Sequence, residues 1–295
     1  MQKVVTLAKR DPEASPRKIA TLLQEKANSS VSPSRSSVRL AMKKKKLKRY
    51  RQPRVPYLTD KQKAARLKYA LDHQKLDWKS VIYSDETFIT LDGSMSGWWT
   101  GKQGQRCPKR FRRIARPPGS QGAMFWAAIW WNGRSELVYI PTPIIPYWDK
   151  NGKKRYKRKG MDQFDYNELI LSQELRRAHA RVKANWRGYG SVSILEDGAR
   201  LHHTPLCNKT KKRHNMVSLP HPANSPDLNP IEHEWATLKR RVYGTRPQKD
   251  SIPRMIKRAQ MLWREIPQKE INNCILTMFD RIPLVIEHAG DNTFK

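Results

Sequence analysis

Apolar positions recur along the first fifty residues in short helical stripes. Val4, Val5, Leu7 and Ala8 fit one short helix that ends at Asp11-Pro12, since proline disfavours helical geometry in the residue before it. Ser15-Pro16 reads as an N-cap followed by proline at the first helical position. Ile19, Leu22 and Leu23 then give the i, i+3, i+4 stripe of a second helix. Ser32-Pro33 repeats the start signal, and Val38, Ala41 and Met42 form the inner face of a third. Three short helices with a tight connection before the last predict a helix-turn-helix over residues 1–48. Its third helix would offer Ser34, Arg35, Ser36 and Arg39 to a DNA major groove, where arginine favours guanine edges. The same pattern also fits a plain three-helix bundle.

Beyond this module the periodicity changes. Residues 49–77 read as a basic linker and a bridging helix over about Asp60 to Gln74, with Ala64, Leu67, Tyr69, Ala70 and Leu71 among its cations. From Trp78 the pattern alternates as strands do. VIYSDETFITLDG is a strand closed by Asp-Gly, with Asp92 in the turn. MFWAAIWWNGRSELVYI is two apolar runs around Asn132-Gly133, a hairpin signal. WDKNGKKRYKRKG reads as an exposed loop. Phe164 to Lys183 is helical, SVSILED a strand, and MVSLP a short strand. Helices follow over Pro230 to Val242, Ser251 to Ile266 and Gln268 to about Arg281. Strands, a helix–strand alternation and terminal helices predict a mixed-sheet α/β domain over 78–295.

Charge narrows the partner. The chain has 295 residues, with 59 Lys and Arg against 26 Asp and Glu, a formal net charge of +33. Solubility alone requires a magnitude of only about 2–8, so a polyanion is the expected partner, nucleic acid before an anionic membrane. The tract Lys43, Lys44, Lys45, Lys46, Arg49, Arg51 and Arg54 suits phosphate contact, a nuclear import signal, or both. Seven basic residues between Lys150 and Lys159 suit either phosphate contact or simple solvation. The N-terminus has no apolar signal core, and no apolar run is long enough to span a bilayer, so no membrane role is expected. Cys107, Cys207 and Cys274 are odd in number and show no metal-binding spacing.

Three carboxylates stand out against this basic background. Asp85 lies within the first strand among apolar neighbours, Asp197 ends SVSILED, and Glu232 falls in the first turn of a helix announced by Asn229-Pro230. They can converge only if the two strands are neighbours, which a crossover through the Phe164–Lys183 helix allows. Clustered carboxylates are hard oxygen ligands suited to Mg²⁺ or Mn²⁺. Two such ions about 3.5–4 Å apart can serve phosphodiester transfer. On spacing alone, the plainer description stands ahead: Asp85 and Asp197 as strand-end capping carboxylates and Glu232 as a helix N-terminal one. Asp227 reads as a loop organiser, Trp235 as core, and Glu86 and Glu196 should point away from their aspartate neighbours by strand alternation.

The segments YSDET, LEDGARLHHT and SPDLNPIEHEW resemble the three catalytic blocks of the mariner superfamily of cut-and-paste transposases. The resemblance implies a ribonuclease-H-like fold and a metal-binding triad at Asp85, Asp197 and Glu232. The 34 residues between the last two match the glutamate branch. It further implies two Mg²⁺ or Mn²⁺ ions per active site, terminal inverted repeats as the bound DNA, and joining of 3′ ends to target DNA at TA. It implies a homodimer in the synaptic complex and a supporting or structural part for His202, while the basic tract Lys43 to Arg54 favours the nucleus in a eukaryotic host. The family carries two helix-turn-helix modules, and the first is expected to be missing here.

Overall fold

The computed structural model describes residues 6–7, 16–27, 34–44, 57–91, 121–188, 190–245, 247 and 250–293. They fall into two compact units, Met1–Arg54 and Val55–Lys295. In the first, α1 (Pro16–Ala27) and α2 (Arg35–Lys44) pack around Ile19, Ala20, Val38 and Met42. The start of α2 differs from expectation: Ser34, rather than Ser32-Pro33, supplies the cap, its hydroxyl accepting from the Ser37 amide at 3.0 Å. Lys45, Lys46, Arg49, Arg51, Arg54, Asp92 and Cys107 lie outside the described residues.

The second unit opens on α3 (Asp60–His73), started by a Thr59–Gln62 capping box. The helix expected as a bridge between domains is thus built into this unit. Its Arg66 is fully buried and forks onto Asp227 at 2.8 and 2.7 Å. Strands β1 (Val81–Thr90), β2 (Gly122–Trp130), β3 (Gly133–Arg134), β4 (Val138–Ile140), β7 (Ser193–Leu195) and β8 (Val217–Leu219) form a mixed sheet of order β3-β2-β1-β7-β8, with β4 also on β2. β1 runs antiparallel to β2 and parallel to β7. Two expectations change here. Trp131 and Asn132 make the β2–β3 turn, with Asn132 at φ 62°. Gly133 is already strand, where an added Cβ would collide with the Trp130 indole. The segment read as a basic loop is instead a hairpin of β5 (Ile144–Trp148) and β6 (Lys154–Arg158), exposing Ile144, Trp148 and Tyr156.

The alternating pattern of β1 and β2 is apolar on both faces because helices cover both. On one side Tyr83, Phe125 and Ala127 pack against Trp235, Leu238, Trp263, Ile275 and Ile282. These come from α6 (Ile231–Gly244), α7 (Ile252–Arg264), α8 (Gln268–Leu276) and α9 (Met278–Glu287). The last two were expected as one helix; they divide at Thr277, whose hydroxyl turns back to the Cys274 carbonyl. On the other side Ile82, Trp126 and Ile194 pack against a long helical run. This run, α4, consists of Gln163–Asp165, a π-helical Tyr166–Leu175 and Arg176–Asn185. α5 (Pro205–Arg213) joins it, a helix started by Thr204 that falls in a stretch read only as polar and basic.

Candidate active site

Two strand positions and one helix start bring the three acids into electrostatic contact. β1 and β7 pair in parallel with Tyr83 opposite Leu195. Continuing that register by two residues sets Asp85 level with Asp197, just past the end of β7. Asp85 is on the sheet face covered by α6, and the Trp235 indole N–H donates to its Oδ2 at 3.0 Å. Trp235 is therefore both core and a partner of this acid. Asn229 Nδ2 donates to the Ser84 carbonyl at 3.5 Å, tying the loop before α6 to β1. Glu232 follows in the first turn of α6.

The charges of this group are poorly compensated. Burial first, then Glu232 and Asp197, push the Asp85 carboxyl up to about 7. Glu232 is raised as well, by burial and by Asp197, against the pull of Lys239. Asp197 is lowered, chiefly by its hydrogen bond from His202 and by the Ala199 amide at 2.9 Å. Among the described residues no lysine or arginine is ion-paired with Asp85. Crowded carboxylates whose protons are hard to lose are the donor set a divalent cation neutralises, so the residues fit the implied ions.

The opposite face holds a supporting network. The buried His202 places Nε2 3.1 Å from Asp197 Oδ1 and 3.8 Å from Glu86 Oε2, with its ring edge-on to Tyr166. Glu196 points away from Asp197, as alternation requires, and accepts from the Tyr166 hydroxyl and the Lys211 ammonium. Glu86 also leaves the Asp85 face, but not the site's field: burial, Asp85 and Asp197 hold its carboxyl well above the usual range. Sequence reasoning gave no part to Tyr166, Lys211 or His221. The His221 imidazole is pushed down to about 4 by burial despite the nearby charge of Asp197. Asp227 is a loop organiser: besides Arg66 it accepts from the Thr293 amide and hydroxyl at 3.1 and 2.9 Å. In the first unit Ser34, Arg35, Ser36, Arg39, Lys43 and Lys44 are exposed on α2.

With this geometry in place, comparisons identify the class. Residues 1–75 match a helix-turn-helix family described as "Transposase", and residues 165–252 match the "DDE superfamily endonuclease" family. The Tc3 transposase of Caenorhabditis elegans is 26% identical over 237 residues, covering 80% of this chain and 64% of that protein. The Tc1 transposase of the same organism is 26% identical over 262 residues, covering 88% and 87%. The Mos1 mariner paired-end complex with Mn shares the fold at TM-score 0.65 and 17% identity, over 100% of this chain and 80% of that one. The chain is thus similar to Tc1/mariner transposases, through a helix-turn-helix match at its start and a DDE endonuclease match in its second unit. The matched stretch spans just under two thirds of the Tc3 protein.

Proposed function

We propose that this chain is a metal-dependent cut-and-paste transposase whose catalytic residues are Asp85, Asp197 and Glu232. The observation that carries the reading is the electrostatic coupling of three carboxylates where β1 and β7 lie side by side, with Asp85 pushed up to about 7 and, among the described residues, no lysine or arginine ion-paired with it. These residues would hold Mg²⁺ or Mn²⁺, two ions per site; a solved Mos1 mariner paired-end complex is one with Mn. Bound ions supply activation of the attacking oxygen and neutralisation of the leaving one. The chain's own groups do the rest. Trp235 fixes the Asp85 carboxylate through its N–H, and His202 orients Asp197. Each reaction step is an in-line attack on phosphorus, by water in cleavage and by the freed 3′ hydroxyl in joining, with no covalent enzyme intermediate.

Terminal inverted repeats are the proposed bound DNA, with Ser34, Arg35, Ser36 and Arg39 facing bases and the tract Lys43–Arg54 on phosphates. The β5–β6 hairpin adds a mixed basic and aromatic surface: Lys154 lies 6.0 Å from the Trp148 ring and 5.8 Å from that of Tyr156. A homodimer pairing two element ends, TA target sites and nuclear residence complete the reading. An assay with Mg²⁺ or Mn²⁺ and DNA carrying the flanking repeats tests it, beside Asp197→Ala. Cleavage and joining lost in the variant are expected. Binding without cleavage would instead make the chain a DNA-binding relative only, and cleavage without joining a simple nuclease. Cleavage that survives Asp197→Ala would remove the triad assignment.

A further inference from the structure

The helix that carries Glu232 turns a second set of donor groups away from it. Successive residues of an α-helix are rotated by about 100°, so Glu234 faces roughly opposite to Glu232, toward α8. It is 0% exposed, and neither of its carboxylate oxygens has a hydrogen-bond partner among the described residues. Leaving a buried carboxylate unsatisfied is strongly unfavourable unless something compensates it. The nearby cations are engaged elsewhere. Arg134 donates to the Trp263 carbonyl at 2.8 Å, and Arg241 donates to the Glu265 carbonyl at 3.3 Å, with its other nitrogen 3.9 Å from Glu270 Oε2. Glu270 Oε1 accepts from the Thr237 hydroxyl at 3.1 Å. Donor atoms of His233, Glu234 and Glu270 all lie within 4.8 Å of one another.

We propose that His233, Glu234 and Glu270 form a second cation site, distinct from the Asp85–Asp197–Glu232 group, that takes a divalent transition ion of the zinc class. One imidazole and two carboxylates suit Zn²⁺ or Co²⁺, whereas Mg²⁺ takes oxygen ligands alone. Three protein ligands leave a fourth position for water, on the side of the exposed His233. A bound ion would satisfy the orphaned oxygens of Glu234 and clamp α6 to α8. The role is thus structural, fixing the helix on which Glu232 stands.

The site is tested in the full chain carrying Asp85→Asn and Asp197→Asn, which removes ligands from the other group. Co²⁺ titration should show one equivalent with visible d–d absorption, and Zn²⁺ should raise the thermal midpoint. Adding His233→Ala, which alters an exposed side chain and spares the core, should weaken Co²⁺ by at least about tenfold, the scale on which disturbed metal ligation is felt. Glu234→Gln should abolish the Zn²⁺-induced shift while raising the midpoint of the metal-free chain, because a buried charge is gone. Absence of Co²⁺ uptake in the parent, or uptake and spectrum unchanged by His233→Ala and Glu270→Gln, would overturn the proposal.

Discussion

Asp227 and Glu232 stand five residues apart in one short block, and the protein treats them in opposite ways. Asp227 is surrounded: Arg66 forks onto both oxygens, Thr293 adds two donors, and the Arg281 guanidinium holds its backbone carbonyl at 2.6 Å. Burial alone would raise its carboxyl, but Arg66 holds it below the ordinary value. Among the described residues no arginine is ion-paired with Glu232 or its neighbour Asp85, and both are raised. The contrast separates an acid whose counter-charge is built into the fold from acids whose counter-charge must arrive from outside. Position in the motif does not make that distinction; the surrounding cations do.

The contrast can be broken from either side. The largest effect is expected from Asp197→Ala, which should lower DNA cleavage by roughly a hundred- to a thousandfold, as loss of a preorganised charge-stabilising group does. Its thermal midpoint without metal should fall only modestly, through loss of the His202 and Ala199 contacts; outright unfolding would mean that Asp197 serves folding. Next comes Arg66→Met, which strands Asp227 as a buried, unpaired charge and should cost about 3–5 kcal/mol in denaturant unfolding. Arg66→Met combined with Asp227→Leu should recover much of that loss. Failure to recover would show that the Gly290 and Asp291 carbonyl contacts of Arg66 matter more.

A smaller change is expected from Trp235→Phe. The ring stays in the core but Asp85 loses its N–H partner, so metal affinity or cleavage should fall about 10–100-fold. Unaltered Mn²⁺ affinity and cleavage would reduce Trp235 to packing alone. The smallest effects are pH slopes of opposite sign. Asp227 is lowered in the folded state, so its contribution is present above the ordinary carboxylate value and is lost as pH falls below about 3.8. Asp85 is raised to about 7, so the metal-free fold binds the extra proton and loses stability as pH climbs from about 4 to about 7. Urea midpoints across that range measure the second slope, which Asp85→Asn should make shallower but not flat, since Glu86 and Glu232 are raised as well. Mn²⁺ affinity should rise over the same interval, since binding requires the deprotonated acid.

Much of the architecture could be read from local signals. The alternation of 81–90 and the apolar run of 122–130 declare strands, and Ser-Pro, Thr-Asp and Asn-Pro pairs mark helix starts. The three acids were separable from surface charges because each sits at an element end or among apolar residues. What escaped was of two kinds. Some signals were present but masked by composition. Thr204-Pro205 starts α5 with the same kind of signal that Ser15-Pro16 offers in the sequence, yet five cations or amides in nine residues made it look like loop. Lys154–Arg158 is a strand because Ile144–Trp148 pairs with it, although its own residues are nearly all basic. Other features have no local signal. The Trp235–Asp85 hydrogen bond joins residues 150 apart, and Glu196 finds its hydroxyl and ammonium partners only once α4 and α5 pack on the sheet.

Arg66 also sets a timetable. Its guanidinium is completed by Asp227, 161 residues later, and by the Gly290 carbonyl, 224 residues later. At about 5–20 residues per second, a ribosome needs roughly 10–45 seconds between emitting the arginine and emitting that last acceptor. Throughout that interval α3 has no finished seat, and the sheet's helical cover is incomplete. The second unit therefore closes late in its own synthesis, long after its first helix has emerged.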